Sequence, residues 1–184
     1  MSSSTETQQN TPEDTILATN HDADSNTTRV VVIAIDQSNY SHFAFDWAVK
    51  NFLRKESDLV VLVNVRPISM TPVPYAMGPK YPQFNEIIIS IDDQKKEESN
   101  TLLQEFASKL KAEKFTYKAI AMQGDARDVI VRKVSELNAD SLILGSRGLG
   151  VMKRMLLGSV SDHCVHNCHC TVIIVRERTE KKSE

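Results

Sequence analysis

Five short aliphatic runs, separated by longer segments of helical periodicity, constrain this chain more than any other feature. They cover residues 30–35, 59–65, 115–122, 142–144 and 171–175. A strand with one wet face alternates apolar and polar residues. A strand buried on both faces reads as a continuous apolar run, and such strands belong to parallel sheets. The intervening segments repeat differently. Ala44, Ala48 and Phe52 recur at helical spacing in residues 41–53, and Leu102, Phe106 and Leu110 do so within 87–111. After Asp125, Ile130, Val134 and Leu137 make a third stripe. The order is β-α-β-α-β-α-β-α-β. It predicts a doubly wound, five-stranded parallel sheet in three α/β/α layers.

The rest of the chain bounds the function. At 184 residues, one domain is the default. A hydrophobic share of 41% is enough for one packed core. A net charge of −2 argues against nucleic acid as a partner, because phosphate-backbone affinity needs clustered positive charge. No apolar run approaches the roughly 20 residues that span a bilayer, and the polar N-terminus lacks the apolar core of a signal peptide. A soluble cytoplasmic protein without a membrane partner is the expectation. Residues 1–28 are rich in Ser, Thr, Asn and Asp and are expected to form a disordered tail. The domain is expected over 29–176, followed by a charged tail over 177–184. Residues 66–85 hold five prolines and are expected to form a long loop, either a partial lid over the site or a plain connection.

Chemistry concentrates at the carboxyl ends of the runs, where open α/β sheets bind ligands. Asp36 ends the first run. It suits a hydrogen bond to a ribose hydroxyl or base amino group, and equally a turn or helix cap. The fourth run enters Gly145, Ser146, Arg147, Gly148, and Gly158-Ser159 precedes a helix-like segment. Glycines near a helix N-terminus, with a hydroxyl and an arginine, form a phosphate cradle. The same glycines also serve tight strand–helix connections, and residue types alone do not decide between the two.

Other sites fail on spacing. Cys164, Cys168 and Cys170 sit among His163, His166 and His169, but the i,i+4 cysteines fall on one face that must pack on the sheet. No Lys-Ser/Thr pair follows Gly150, as a Walker-type phosphate loop needs, and no dinucleotide fingerprint follows the first strand. No nucleophile elbow surrounds Ser159.

The spacing Gly145-x2-Gly148-x9-Gly158-Ser159, with Asp36 and the element order, resembles the nucleotide-binding type of the universal stress protein family. The resemblance covers about residues 29–176. It implies an adenine nucleotide alpha hydrolase-like fold and a bound ATP or AMP, with or without Mg²⁺. Asp36 is then expected at the nucleoside and Val65 along the base. Gly145 and Gly148 would let the backbone approach the ribose and phosphates. Gly158, Ser159 and Val160 would donate N–H groups to phosphate, Arg147 would add charge, and Ser161 a second hydroxyl. The family reading is a stress-responsive sensor, homodimeric through the last strand. Slow ATP hydrolysis and a nucleotide-independent interaction module are the alternatives.

Overall fold

The computed structural model describes residues 14–20, 27–68, 81–146 and 157–177, with backbone only at 20 and 81–89. The elements are β1 (Thr15–Asn20), β2 (Arg29–Ala34), α1 (Asn39–Asn51), β3 (Asp58–Arg66), α2 (Tyr81–Ala112), β4 (Thr116–Gln123), α3 (Ala126–Glu136), β5 (Ser141–Gly145), α4 (Ser159–Asn167) and β6 (Thr171–Val175). They form one six-stranded sheet in the order β1-β4-β3-β2-β5-β6. The five expected strands pair in parallel throughout.

Burial on both faces explains the unbroken runs. Val31, Ile33 and Ile35 point with Val60 and Leu62 toward α1 and α2, where Phe45, Leu103, Phe106 and Leu110 complete one core. Val32 and Ala34 point with Val61 and Val63 the other way, onto Ile130, Val134 and Cys164 of α3 and α4. Each strand therefore needs apolar side chains at successive positions.

Two expectations are corrected. The disordered tail does not extend over residues 15–20, which form a sixth strand antiparallel to β4. As an edge strand it packs only Leu17 and Ala18 against the core and leaves Ile16 61% exposed. Its composition therefore carries little apolar signal. The proline-rich loop also ends earlier than expected, because α2 begins at Tyr81 with Pro82 in its first turn. N–H groups there have no intrahelical partner, so a proline loses nothing. The expected lid over 69–80 lies outside the described residues.

The amino end of the sheet is closed by an ion pair. Arg29 Nε and Nη2 donate to Asp58 Oδ1 and Oδ2 at 2.8 and 2.6 Å, tying β2 to β3. The Asp58 side chain is fully buried. Burial alone would raise its pKa, but the hydrogen bonds from Arg29 and the Arg54 N–H outweigh it and hold the carboxyl below its usual 3.8. A depressed carboxylate stabilises the fold above its ordinary pKa and loses that contribution as pH falls through the folded value. Arg29→Met removes the partner and leaves the charge buried. It is expected to destabilise the protein by about 3 kcal/mol at pH 7. The penalty should shrink toward pH 4, where Asp58 of the variant takes up a proton. Urea denaturation at the two pH values checks both statements.

Candidate functional site

The sheet reverses its winding at β2. From β2 the chain moves outward through β3 to β4, then crosses back to place β5 on the other side of β2. Such a switch point opens a crevice beyond the strand ends. Asp36 stands on one wall and the start of α4 on the other.

Asp36 is the second residue past β2. Ile35 still donates to the Val63 carbonyl at 2.9 Å. The chain then turns, and two serines fix Asp36, one at its carboxylate and one at its N–H. Asp36 Oδ1 accepts from the Ser38 N–H at 2.9 Å and from Ser38 Oγ at 2.5 Å. The Asp36 N–H donates to Ser41 Oγ at 2.8 Å. Among the described residues, Oδ2 takes no hydrogen bond. Ser38 is also the N-cap of α1, so one residue starts the helix and aims the aspartate.

The other wall is built around Ser146. Its N–H donates to the Val175 carbonyl at 2.9 Å, and its carbonyl accepts from the Gly158 N–H at 2.8 Å. That bond brings the two ends of the glycine segment together and sets the entry into α4. The Gly158 N–H is therefore spent, contrary to the expectation that it reaches phosphate. Ser161 is buried, and its hydroxyl donates to the Gly158 carbonyl at 3.0 Å, so it does not offer the expected second hydroxyl. Gly158 caps α4 without a side-chain bond, and the Asp162 N–H bonds the Gly158 carbonyl at 2.9 Å. The N–H groups of Ser159, Val160 and Ser161 remain without a partner among the described residues. Three free donors at a helix N-terminus are an anion site in waiting.

Gly145 answers to a different constraint from the one expected. A Cβ there would lie 2.7 Å from the Tyr40 carbonyl oxygen and 2.8 Å from its carbon. The glycine lets the first turn of α1 press against the end of β5, whatever occupies the crevice. Val65 lies beyond the last β2–β3 pair, Ala34 with Val63, and is paired with Met122 on β4. It is thus on the step left where β2 stops, with its side chain partly packed on the α3/α4 face. Arg147 and Gly148 lie outside the described residues.

Asn64, Ser38, Ser41 and Ser146 were missed by sequence reasoning. Asn64 interrupts the apolar run of β3. Its Nδ2 donates to the Ile35 carbonyl at 2.8 Å and its Oδ1 accepts from Ser99 of α2 at 2.5 Å. It fixes the last residue before Asp36 from the opposite strand. A buried polar residue in an otherwise aliphatic strand was the available signal.

Elsewhere the chemistry is muted. A cavity of about 450 Å³ opens beside Gln37 against α2, but Glu97, Glu98 and Glu105 line it and disfavour phosphate. Cys164 is fully buried. Burial, then the neighbouring Cys168, pushes its thiol up to about 12. Among the described residues no group of three or more His, Cys, Asp or Glu is placed to hold a metal.

Two measurements probe these assignments. Gly145→Ala should destabilise the protein by about 1–3 kcal/mol through the clash with Tyr40, read by urea denaturation. Iodoacetamide at pH 8 should modify Cys168 and Cys170 well before Cys164. Since the Cys164 pKa is raised in the folded state, its contribution to stability is complete below the ordinary 9.0 and falls as pH rises toward about 12.

Comparison with known proteins agrees with this architecture. Residues 27–176 match the model of the universal stress protein family. The chain is 34% identical over 164 residues to universal stress protein PHOS32 of Arabidopsis thaliana, covering 80% of this chain and 64% of that protein's length. It superposes on a universal stress protein family protein from Arabidopsis thaliana with AMP bound, with TM-score 0.58, 22% identity, and 85% and 96% of the two chains covered. A universal stress protein in complex with cAMP gives TM-score 0.50 and 21% identity, with 80% and 96% covered. At those identities the two structures establish the fold, which is adenine nucleotide alpha hydrolase-like. With the family match spanning most of its length, the chain belongs to the universal stress protein family.

Proposed function

We propose that this chain binds an adenine nucleotide, ATP or AMP, in the crevice at the switch point and acts as a cytoplasmic stress-responsive sensor. The observation that carries the reading is the pairing of opposite chemistries across that crevice. The N–H groups of Ser159, Val160 and Ser161, which have no partner among the described residues, suit phosphate oxygens. The Asp36 carboxylate, held by Ser38, suits a ribose hydroxyl or the adenine amino group. The exposed Ser159 hydroxyl adds a donor, and Val65 lines the base. The sequence spacing assigns Arg147 and Gly148 to the phosphate side, and ATP would bind with or without Mg²⁺. The relatives with AMP and cAMP bound support the nucleotide class.

Binding is favoured over turnover. Hydrolysis needs a base or a group that orients water near the terminal phosphate. His42 instead lies over the Phe106 ring at 4.8 Å and 4.0 Å from Glu105, on the α2 side of α1. Asp36 Oδ1 is committed to Ser38. A homodimer through β6 fits the sheet, since β6 is an edge strand and its outer side pairs with nothing among the described residues.

Calorimetric titration of the full chain with ATP and with AMP tests the site. Asp36→Ala and the pair Gly158→Val with Ser159→Ala should each weaken binding by roughly 10–100-fold, the loss expected for one or two charge-assisted hydrogen bonds. Unchanged affinity in both variants would reject the site. No binding by the native chain would favour the interaction-module reading, and steady release of inorganic phosphate the ATPase one.

A further inference from the structure

At the crevice, β3 outruns one of its two neighbours. It pairs with β2 only as far as Ala34 with Val63, but with β4 as far as Arg66 with Gln123. Successive residues of a paired strand turn their backbone N–H and C=O groups to alternate sides. Two bonds fix the phase here. The Val63 carbonyl accepts from the Ile35 N–H at 2.9 Å, on the β2 side. The Arg66 carbonyl accepts from the Gly124 N–H at 3.0 Å, on the β4 side. Val65 therefore turns its N–H and C=O to the side where β2 has stopped, which is the crevice. Neither group bonds the described chain that follows β2.

Continued parallel pairing would send the Val65 N–H to the Ile35 carbonyl. Asn64 takes that carbonyl instead, with Nδ2 donating at 2.8 Å. The amide cannot be turned round. A carbonyl only accepts, so the NH2 group must face Ile35. Oδ1 then faces Ser99 Oγ, which donates to it at 2.5 Å. Asn64 and Ser99 are both buried, so each end of the amide has a fixed partner away from water. Past Ile35 the Asp36 N–H goes to Ser41 Oγ and the Ser38 N–H to Asp36 Oδ1. The chain thus turns into α1 and does not come back to Val65.

We propose that Asn64 is a positioning residue for the base of the bound nucleotide. By capping the Ile35 carbonyl it keeps the last rung of the β2–β3 ladder open, and leaves the Val65 N–H and C=O as an adjacent donor and acceptor in the crevice. The inference rests on the nucleotide reading above. A donor beside an acceptor on one backbone residue recognises a base edge of the reverse order, a ring-nitrogen acceptor beside an amino donor. The adenine edge has that order. Hypoxanthine carries a ring N–H beside a carbonyl, so donor meets donor and acceptor meets acceptor. A site whose polar groups are left unpaired by an analogue rejects it. Without the cap, the Ile35 carbonyl and the Val65 N–H satisfy each other, and the donor is lost to the base.

Calorimetric titration of the full chain with AMP and with inosine monophosphate, in native form and with Asn64→Leu, tests the assignment. The native chain is expected to prefer AMP by about ten-fold or more, and the variant to bind the two with a ratio of about one. Ser99→Ala, which frees the amide to turn, should lower the ratio by about three-fold, and it carries the test if Asn64→Leu does not fold. Without nucleotide, the Val65 amide should exchange about ten-fold more slowly in Asn64→Leu than in the native chain, as the rung closes. A merely structural role lowers both affinities alike, so an unchanged ratio in the variants overturns the positioning role. Equal exchange at Val65 overturns the open rung. A native chain that binds AMP and inosine monophosphate equally overturns the reading of the base by Val65 and leaves the nucleotide site standing. A native chain that binds neither contradicts the nucleotide reading itself, and this assignment with it.

Discussion

Everything at the functional end of this molecule depends on β2 being hydrogen-bonded in parallel on both sides, to β3 and to β5. That double pairing places the carboxyl ends of two chain halves next to each other. Because the chain leaves β2 in one direction and returns on the other, no helix among the described residues fills the gap between them. The two groups across the gap, a carboxylate and a helix N-terminus, carry complementary demands. One wants hydroxyl or amino donors, the other an anion. A nucleotide carries both at opposite ends.

The site is held by small polar residues. Ser38 caps α1 and fixes Asp36, and Ser41 takes the Asp36 N–H. Asn64 holds the Ile35 carbonyl from β3. Ser146 joins β6, β5 and α4 through two backbone bonds. Each satisfies a backbone group at a strand end, where the ladder stops and a buried N–H or C=O would otherwise be orphaned. The N–H groups at α4 that have no partner among the described residues stand out against this background of satisfied bonds. They are the ones a ligand would complete.

Much of the fold was legible because buried parallel strands write themselves as aliphatic runs. The same logic explains what was missed. β1 is a one-sided edge strand secured partly by Asp14, and a single acid in a polar stretch has no period to detect. The early start of α2 was hidden by Pro82, which reads as a breaker but is tolerated in a first turn. At the site, sequence spacing located Asp36 and the Gly158-Ser159 helix start correctly at strand and helix ends. It could not tell which donors were already used. The Gly158 N–H and the Ser161 hydroxyl are spent internally, and Gly145 is required by the Tyr40 backbone, all consequences of tertiary contacts.

The most direct measurement of the central claim is made on protein purified without added nucleotide. The native chain is heat-denatured and the released small molecules are identified by mass spectrometry, beside a chain carrying Gly158→Val and Ser159→Ala. Release of ATP or AMP from the native chain and not from the altered one is the predicted result. If neither chain releases nucleotide, and neither ATP nor AMP raises the melting temperature of the native chain, the crevice is not a nucleotide site and the account is contradicted.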